Sequence, residues 1–421
     1  MIRFLLKGVL RDRSRSLFPL LTVTAGVSLV VFLNGWIAGG RNDILWSNAV
    51  FSTGHVKVMT NAYAENIDLV PNDLAILGVD SLLQDLQQQY PNMYWSPRIK
   101  FGGLLDIPDA QGETRAQTIV AGLAMNLTTG RDVNIMELED ALVLGDIPSE
   151  PNEILISELL ASQLSVGIGD TATLVSSTMY GSMAMHNFVI SGLIRFGITA
   201  MDRSTIIANL PDVQRALDMQ DAAGEILGFF PDVLYHDEQA EHMAAEFTAQ
   251  QDASDEFAPQ MLPLVEQGGL ASLIKMFDSF SGVLIAIFIF AMGIVLWNAG
   301  LMGSLRRYGE IGLRLAVGEE KGHLYRTLVA ESVLIGIGGA ILGTIIGLIA
   351  TYYMQVHGID LSTSMQNSNL MMSNVFRAQI VPSCFYIGLV PGIIAPLLGT
   401  SLSGIGIYKR QTAQLFKELE V

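Results

Sequence analysis

Four stretches of this chain contain no Asp, Glu, Lys or Arg: residues 16–40, 279–305, 332–358 and 378–408. Each exceeds the roughly 20 residues that a helix needs to cross a hydrocarbon core of about 30 Å, so the pattern predicts four membrane spans. In the second run, 27 uncharged residues at about 1.5 Å each reach beyond that thickness. Just upstream, Leu273, Ile274, Met276 and Phe277 stay apolar while Lys275 and Asp278 fall on other faces, so this helix is expected to continue out of the membrane as a stalk. In the third, Gly339, Gly343 and Gly347 recur every four residues on one face, the small-xxx-small spacing that lets helix backbones approach. Pro382, Pro391 and Pro396 in the fourth are tolerable where neighbouring helices re-satisfy the backbone.

Between the first two runs the pattern changes to alternating short elements. GHVKVMT from Gly54 reads as a strand with Val56 and Val58 on one face. A leucine-bearing helix spans 80–89, and RAQTIVAGL is another strand. NEILISELLASQL runs from a strand through an N-cap at Ser157 into a helix, and VGIGDTATLVSS returns as a strand after a glycine turn. HNFVISGLIR, STIIANL and ILGFFPDVLYHDE read as strands, PDVQRALDM as a short helix, and 239–251 as an amphipathic helix. The expected fold is therefore an α-helical membrane protein with four transmembrane helices and a large α+β extracytoplasmic domain, in two subdomains, inserted between helices 1 and 2.

The expected organisation is a cytoplasmic N-terminal segment (1–16), span 1 with its stalk (17–40), the extracytoplasmic domain (41–271), and stalk with span 2 (272–304). A cytoplasmic coupling segment (305–325), span 3 (326–354), an outer loop (355–378), span 4 (379–407) and a cytoplasmic tail (408–421) follow.

Composition and charge orient this plan. Half of the residues are hydrophobic and 15% charged, too apolar for an ordinary soluble chain. Of 24 Lys and Arg, 13 sit in three short flanking segments: Arg3, Lys7, Arg11, Arg13 and Arg15; Arg306, Arg307, Arg314, Lys321 and Arg326; and Lys409, Arg410 and Lys417. Short basic segments stay inside, which puts both termini in the cytoplasm and the large domain on the outer side of the membrane. Residues 41–271 hold nine basic and 32 acidic side chains, so the net charge of −17 resides there and excludes nucleic acid as a partner. The lone cysteine, Cys384, falls in the fourth run, leaving the domain without a disulfide. A cleaved signal peptide is the alternative for the first run, but its apolar stretch is too long and no small-x-small site follows.

Catalytic chemistry finds no support. The sequence has no G-x-x-x-x-G-K-[ST] phosphate loop, and LSGIG at 402–406 lies at the end of a span. His236 and His242 with Asp237 and Glu238 read as a solvated helix end before they read as a metal site, and no nucleophile–base grouping stands out. The chain is expected to be no enzyme and to hold no metal or cofactor.

One charged stretch remains. From Leu305 to Ser332 the chain reads LRRYGEIGLRLAVGEEKGHLYRTLVAES, with nine charged side chains between two apolar runs. An unpaired strand edge is not viable at a membrane surface, so a short interfacial helix is expected. Glu310 suits the helix N-terminus, Arg314 one turn on would pair with it, and Gly318 breaks the helix. Glu331, inside the next apolar helix, should face protein.

These residues carry a resemblance. R-x-x-E-I-G-x-x-x-A-x-G, from Arg307 to Gly318, followed by Glu331 and a glycine-rich span, resembles the coupling segment of the MacB/FtsX/LolC–LolE-type ABC permeases, the type VII group. NEILISELLASQLSVGIGDTATL, FVISGLIR and IIANLPDVQRAL resemble that family's periplasmic core, so the likeness covers nearly the whole chain. It implies a non-catalytic permease subunit that works with a cytoplasmic ABC ATPase dimer, which holds ATP and Mg, and with a second permease chain, same or homologous. Glu310, Ile311, Gly312, Arg314, Ala316 and Gly318 would dock the ATPase. The layout most resembles the lipoprotein-releasing members, which extract lipoproteins from membrane lipid and use a hairpin hook to engage a periplasmic carrier. Here that place holds Met179, Tyr180, Gly181, Met183 and Met185, where flexible thioethers suit an adaptable surface; an ordinary hairpin with inward methionines is the alternative. MacB-like efflux and FtsX-like signalling to a cell-wall hydrolase are the rival functions. One departure is the ending, GIGIYKRQTAQLFKELEV, in place of the family's proline- and arginine-bearing elbow.

Overall fold

The computed structural model describes residues 13–109, 111–128, 130–196, 199–232, 234–305, 308–360 and 375–409. It divides into two compact units, one built on the long helices and one on residues 42–274. Among the described residues, four helical stretches are long and apolar enough to cross a membrane. Span 1 is the helix Arg13–Asn48, span 2 Leu270–Leu305 and span 3 Lys321–His357. Span 4 is broken: a 3-10 turn, Pro382–Phe385, precedes the helix Leu389–Lys409. Proline lacks the N–H, so Pro382 and Pro391 sit in the first turns of these two pieces, where no intrahelical donor is needed, whereas Pro396 lies inside the second.

Small residues set the spacing of the spans. A Cβ on Gly339 would lie 2.7 Å from Val23, one on Gly343 2.6 Å from the Thr24 carbonyl oxygen, and one on Gly347 2.8 Å from Val31. The three-glycine face of span 3 is thus laid directly on span 1. Gly300 of span 2 meets the Pro396 carbonyl in the same way. Around these contacts Val23, Val27, Val31, Leu296, Ala340 and Cys384 form the interior, and Asn34 donates to Ser383 Oγ at 2.8 Å.

The inserted domain is organised by one long strand. Its strands are β1 (Val56–Thr60), β2 (Ile76–Leu77), β3 (Tyr94–Pro108), β4 (Thr114–Met125), β5 (Leu142–Gly145) and β6 (Glu153–Ser157). Then come β7 (Thr171–Ser177), β8 (Met183–Ile194), β9 (Thr205–Asn209), β10 (Ala222–Ala223), β11 (Glu225–Phe229) and β12 (Pro259–Pro263). β3 pairs with both β4 and β7, and the path β3–β4–β9–β6–β8–β7 returns to β3, closing a six-stranded ring. Phe101, Leu105, Leu174, Phe188, Ile190 and Ile206 fill it, as side chains do in small barrels. The first part of β3 instead belongs to an antiparallel sheet in the order β12–β1–β11–β3. The sheet and the ring therefore share a strand: Arg98 pairs with Glu225 of the sheet, and Ile99 with Ala124 of the ring.

Several sequence expectations map onto this frame. Ser157 caps the helix Glu158–Leu164 by accepting from Leu160 N, and the helices Val79–Gln89 and Asp237–Ala249 occupy the expected stretches. β1 differs: all five of its residues are buried, Lys57 included, because β11 and β12 flank it and both faces are covered.

Substitution of Gly343 by valine should overpack the contact with Thr24 and Val27 and destabilise the purified chain by about 1–3 kcal/mol. Gly282→Val is the control, since a Cβ there meets nothing within 4 Å. Thermal unfolding in detergent measures the difference, and equal midpoints would contradict the packing.

Candidate functional site

The stretch between spans 2 and 3 folds into an elbow. Its helix, Tyr308–Ala316, buries Ile311 and sets Leu315 against Leu324 and Leu328 at the start of span 3. It ends at Gly318, whose φ of +101° is a left-handed conformation favouring glycine. Gly318 N donates to Leu315 O and Glu319 N to Arg314 O, each at 3.1 Å, which is a Schellman cap. The same two residues are joined again through their side chains, with Arg314 Nε 3.4 Å from Glu319. Among the described residues the ion partner shown for Arg314 is thus Glu319 and not the expected Glu310. The turn at Gly318 reverses the chain and brings Glu319 back over the last helical turn. Arg307, the first residue of the motif, lies outside the described residues, as do the basic N-terminal residues 3–11, most of the expected outer loop and most of the tail.

The elbow sorts its residues by face. Ile311 is 2% exposed and Gly312 is buried, whereas Glu310 and Arg314 are half-buried and Ala316 and Gly318 exposed. Leu313 at 56% and Val317 at 83% exposed stand outward beside Ala316. Ile311 and Gly312, expected among the docking residues, are buried, and Ile311 packs the helix against span 3. Leu313 and Val317, four residues apart on one helix face, are large apolar side chains that the elbow leaves exposed.

Glu331 lines a cavity of about 60 Å³ between the spans, with Pro19, Val23, Leu296, Gly300 and Pro396 among its walls. It faces protein, as a carboxylate in an apolar helix must.

The inserted domain holds a second arrangement of interest, which strand patterning did not reveal. Glu225, fully buried, lies 2.7 Å from Lys57 Nζ and 2.8 Å from Lys100 Nζ. Arg98, also fully buried, has Nη2 3.9 Å from Asp132. Its Nη1 donates to the Val50 carbonyl, and Lys100 Nζ donates to that of Ser52 at 3.4 Å. Burial alone would raise the Glu225 carboxyl, but Lys100 and Lys57 overcome it and hold it down at about 2. Burial pushes Lys57 from 10.5 down to about 8 against the pull of Glu225. The available signal was scarcity: three of the nine basic residues in 41–271 lie inside apolar strands.

The β7–β8 hairpin is compact. Ser177 pairs with Met183, so only 178–182 remain for the tip, where Thr178 N donates to Ser182 O at 2.7 Å and Met179 N to Leu217 O at 2.8 Å. Met179 is buried in the domain core; Tyr180, Met183 and Met185 are exposed, and Gly181 makes the turn with φ +82°. A protruding hook is therefore corrected to a short pinned turn. What faces outward is a row across four strands, Ile119, Leu104, Val175 and Met185, each opposite the next.

His236 lies 2.7 Å from Asp232, and His242 3.7 Å from Glu246. The two histidines face different carboxylates.

Residues 282–412 match the FtsX-like permease C-terminal family. A protein described as lipoprotein-releasing system transmembrane protein LolC from Xylella fastidiosa (strain Temecula1) is 25% identical over 281 residues, covering 65% of each chain. A protein of the same description from Haemophilus influenzae is 24% identical over 247 residues, covering 56% of this chain and 59% of that one. The matches thus span less than two thirds of these curated relatives. Over residues 282–412 the chain is thus similar to the FtsX-like permeases, and over about 65% of its length it is similar to LolC. Among solved structures, the periplasmic region of MacB from Actinobacillus actinomycetemcomitans matches 52% of this chain and 94% of its own at 9% identity, with a TM-score of 0.36 that decides nothing about the fold. The matched segment begins within span 2 and contains the elbow and spans 3 and 4; the charge cluster and the hairpin lie outside it.

The cluster makes a pH prediction. Between about pH 8 and 10.5 the unfolded chain keeps the Lys57 proton that the folded chain has released, so stability rises with pH across that window. The thermal midpoint of the full chain in detergent should rise there, and Lys57→Met should remove the rise. Glu225 acts at the other end: its ion pairs stabilise the fold above 4.5, and that contribution is lost as pH falls towards 2.

Proposed function

We propose that this chain is the permease subunit of an ABC complex and carries ATP-driven motion from a cytoplasmic ATPase to an extracytoplasmic domain. The observation that carries the proposal is the elbow. A capped helix is pinned at one face by Ile311 and Leu315 and presents Leu313, Ala316 and Val317 on the other, with Glu310 and Arg314 half-buried beside them. A rigid apolar patch rimmed by charge suits docking to a partner protein. ATP and Mg would be held in that separate ATPase, because the permease sequence has no phosphate loop. Placement of the elbow and both termini in the cytoplasm rests on the basic flanks.

A second permease chain completes the proposed complex. Met276, Phe280, Val283, Ile287, Phe290 and Ile294 are exposed along span 2, alternately four and three residues apart. That is the 3.5-residue seam of helices that pair along their length, and Ser279, Ala286 and Gly293 beside it permit close approach.

The relatives named for lipoprotein release make extraction of lipoproteins from the inner membrane the favoured cargo reading. The carrier would dock on Tyr180, Met183 and Met185 at the hairpin. The short pinned tip suits a second reading, signalling to a cell-wall hydrolase, in which no carrier docks there. Lipoprotein-stimulated ATP hydrolysis in the reconstituted complex separates the two.

Leu313→Glu with Val317→Glu should weaken retention of the copurifying ATPase by at least about tenfold, since charges would be buried in an apolar contact. The fold should survive, because both side chains point outward. Undiminished copurification would remove the docking assignment. Arg314→Glu should weaken retention as well, and adding Glu319→Arg should restore it if the pair positions the elbow.

A further inference from the structure

Arg98 is fully buried, and a guanidinium out of water is costly unless its donors and charge are matched. Asp132 supplies charge at 3.9 Å, and Ser96 Oγ accepts from Nε at 3.3 Å. Nη1 is committed to the Val50 carbonyl. Val50 belongs to the π-helical turn Ala49–Thr53 that directly follows the helix Arg13–Asn48. The last carbonyls of a helix have no partner within it. Here they are taken by side chains from elsewhere in the domain: Val50 by Arg98, Ser52 by Lys100, and Thr53 by Gln267 Nε2 at 3.4 Å. Gln267, three residues before the helix Leu270–Leu305 begins, also donates from Nε2 to the Leu262 carbonyl at 3.0 Å.

Position adds to the contact list. Arg98 is the residue of β3 at which pairing passes from the antiparallel sheet to the closed ring. Leu45 and Ala49 from the first helix and Leu270 and Ile274 from the second pack together with Leu227 and Phe229 of β11. One small region thus joins the end of the incoming helix, the seam between the two β structures and the start of the outgoing helix. A helix end capped by water could turn against the sheet, whereas a fork held at both sides resists rotation as well as extension.

We infer that Arg98, Lys100 and Gln267 form a clasp that fixes the end of the first membrane-derived helix to the sheet, with Arg98 the positioning residue through which displacement of that helix reaches the domain. This rests on the reading of the chain as a transmitter of motion.

The test uses the full chain in nanodiscs on a Cys384→Ala background, with spin labels at Asn42→Cys and Ile119→Cys. Pulsed dipolar spectroscopy without nucleotide should give a narrow distance distribution for the parent. Arg98→Met with Asp132→Asn, which removes both charges and leaves neither buried alone, should broaden it about twofold while circular dichroism stays native. Arg98→Lys, which keeps the charge and loses the fork, should fall between. An unchanged width in the folded double variant overturns the clasp. Should that variant fail to fold, Gln267→Leu removes carbonyl contacts without touching a charge and decides by the same comparison. A parent complex that hydrolyses ATP without any ATP-dependent change at either label refutes the transmission reading, while the nucleotide-free widths still judge the clasp.

Discussion

A helix satisfies its backbone hydrogen bonds internally except at its ends, and this constraint shapes the places where the chain can do work. Long helices leaving an apolar environment must surrender their last carbonyls to something. Span 3 ends on Gly358, whose N–H returns to Met354 O at 3.0 Å. The elbow helix ends on Gly318 in a Schellman cap. Both solutions are local and need only a glycine. The end of span 1 is different, because Arg98, Lys100 and Gln267 come from distant sequence to hold Val50, Ser52 and Thr53. A local cap terminates a helix, whereas a cap built from another element also attaches it.

Packing in the helical unit follows a second economy. Gly339, Gly343 and Gly347 bring span 3 against the backbone of span 1, and Gly300 admits Pro396. Within lipid, apolar side chains gain little by leaving the hydrocarbon, so close contact between backbones has to supply the attraction. Span 2 is the contrast: its large side chains from Met276 to Ile294 remain outward. The elbow extends span 3 by a short lever whose inner face, Ile311 and Leu315, is tied to Leu324 and Leu328.

Much of this was legible in the linear pattern. Uncharged runs located the four long helices, because a span needs only length and apolarity. Gly318 read as a break and the glycine stripe as a packing face, since each depends on neighbours within four residues. The register of β3 was not legible, and neither was the ring it closes, because pairing between β3 and β7 joins residues about seventy apart. The hairpin shows the same boundary. Its thioethers were visible, but only the hydrogen bond from Met179 N to Leu217 O and burial of the Met179 side chain showed that its tip is pinned.

By itself, then, the sequence determined which segments are helical and apolar, where glycine lets the chain turn, and the motif at the elbow. These follow from composition and short-range stereochemistry. Tertiary structure alone decided that Lys57, Arg98 and Glu225 are buried together and that Ile311 points inward while Leu313 and Val317 point outward. It also decided that Arg314 meets Glu319. A charged residue in an alternating strand reads as solvent-facing until the strands that flank it are known, and the partner that makes its burial tolerable lies far away in the chain.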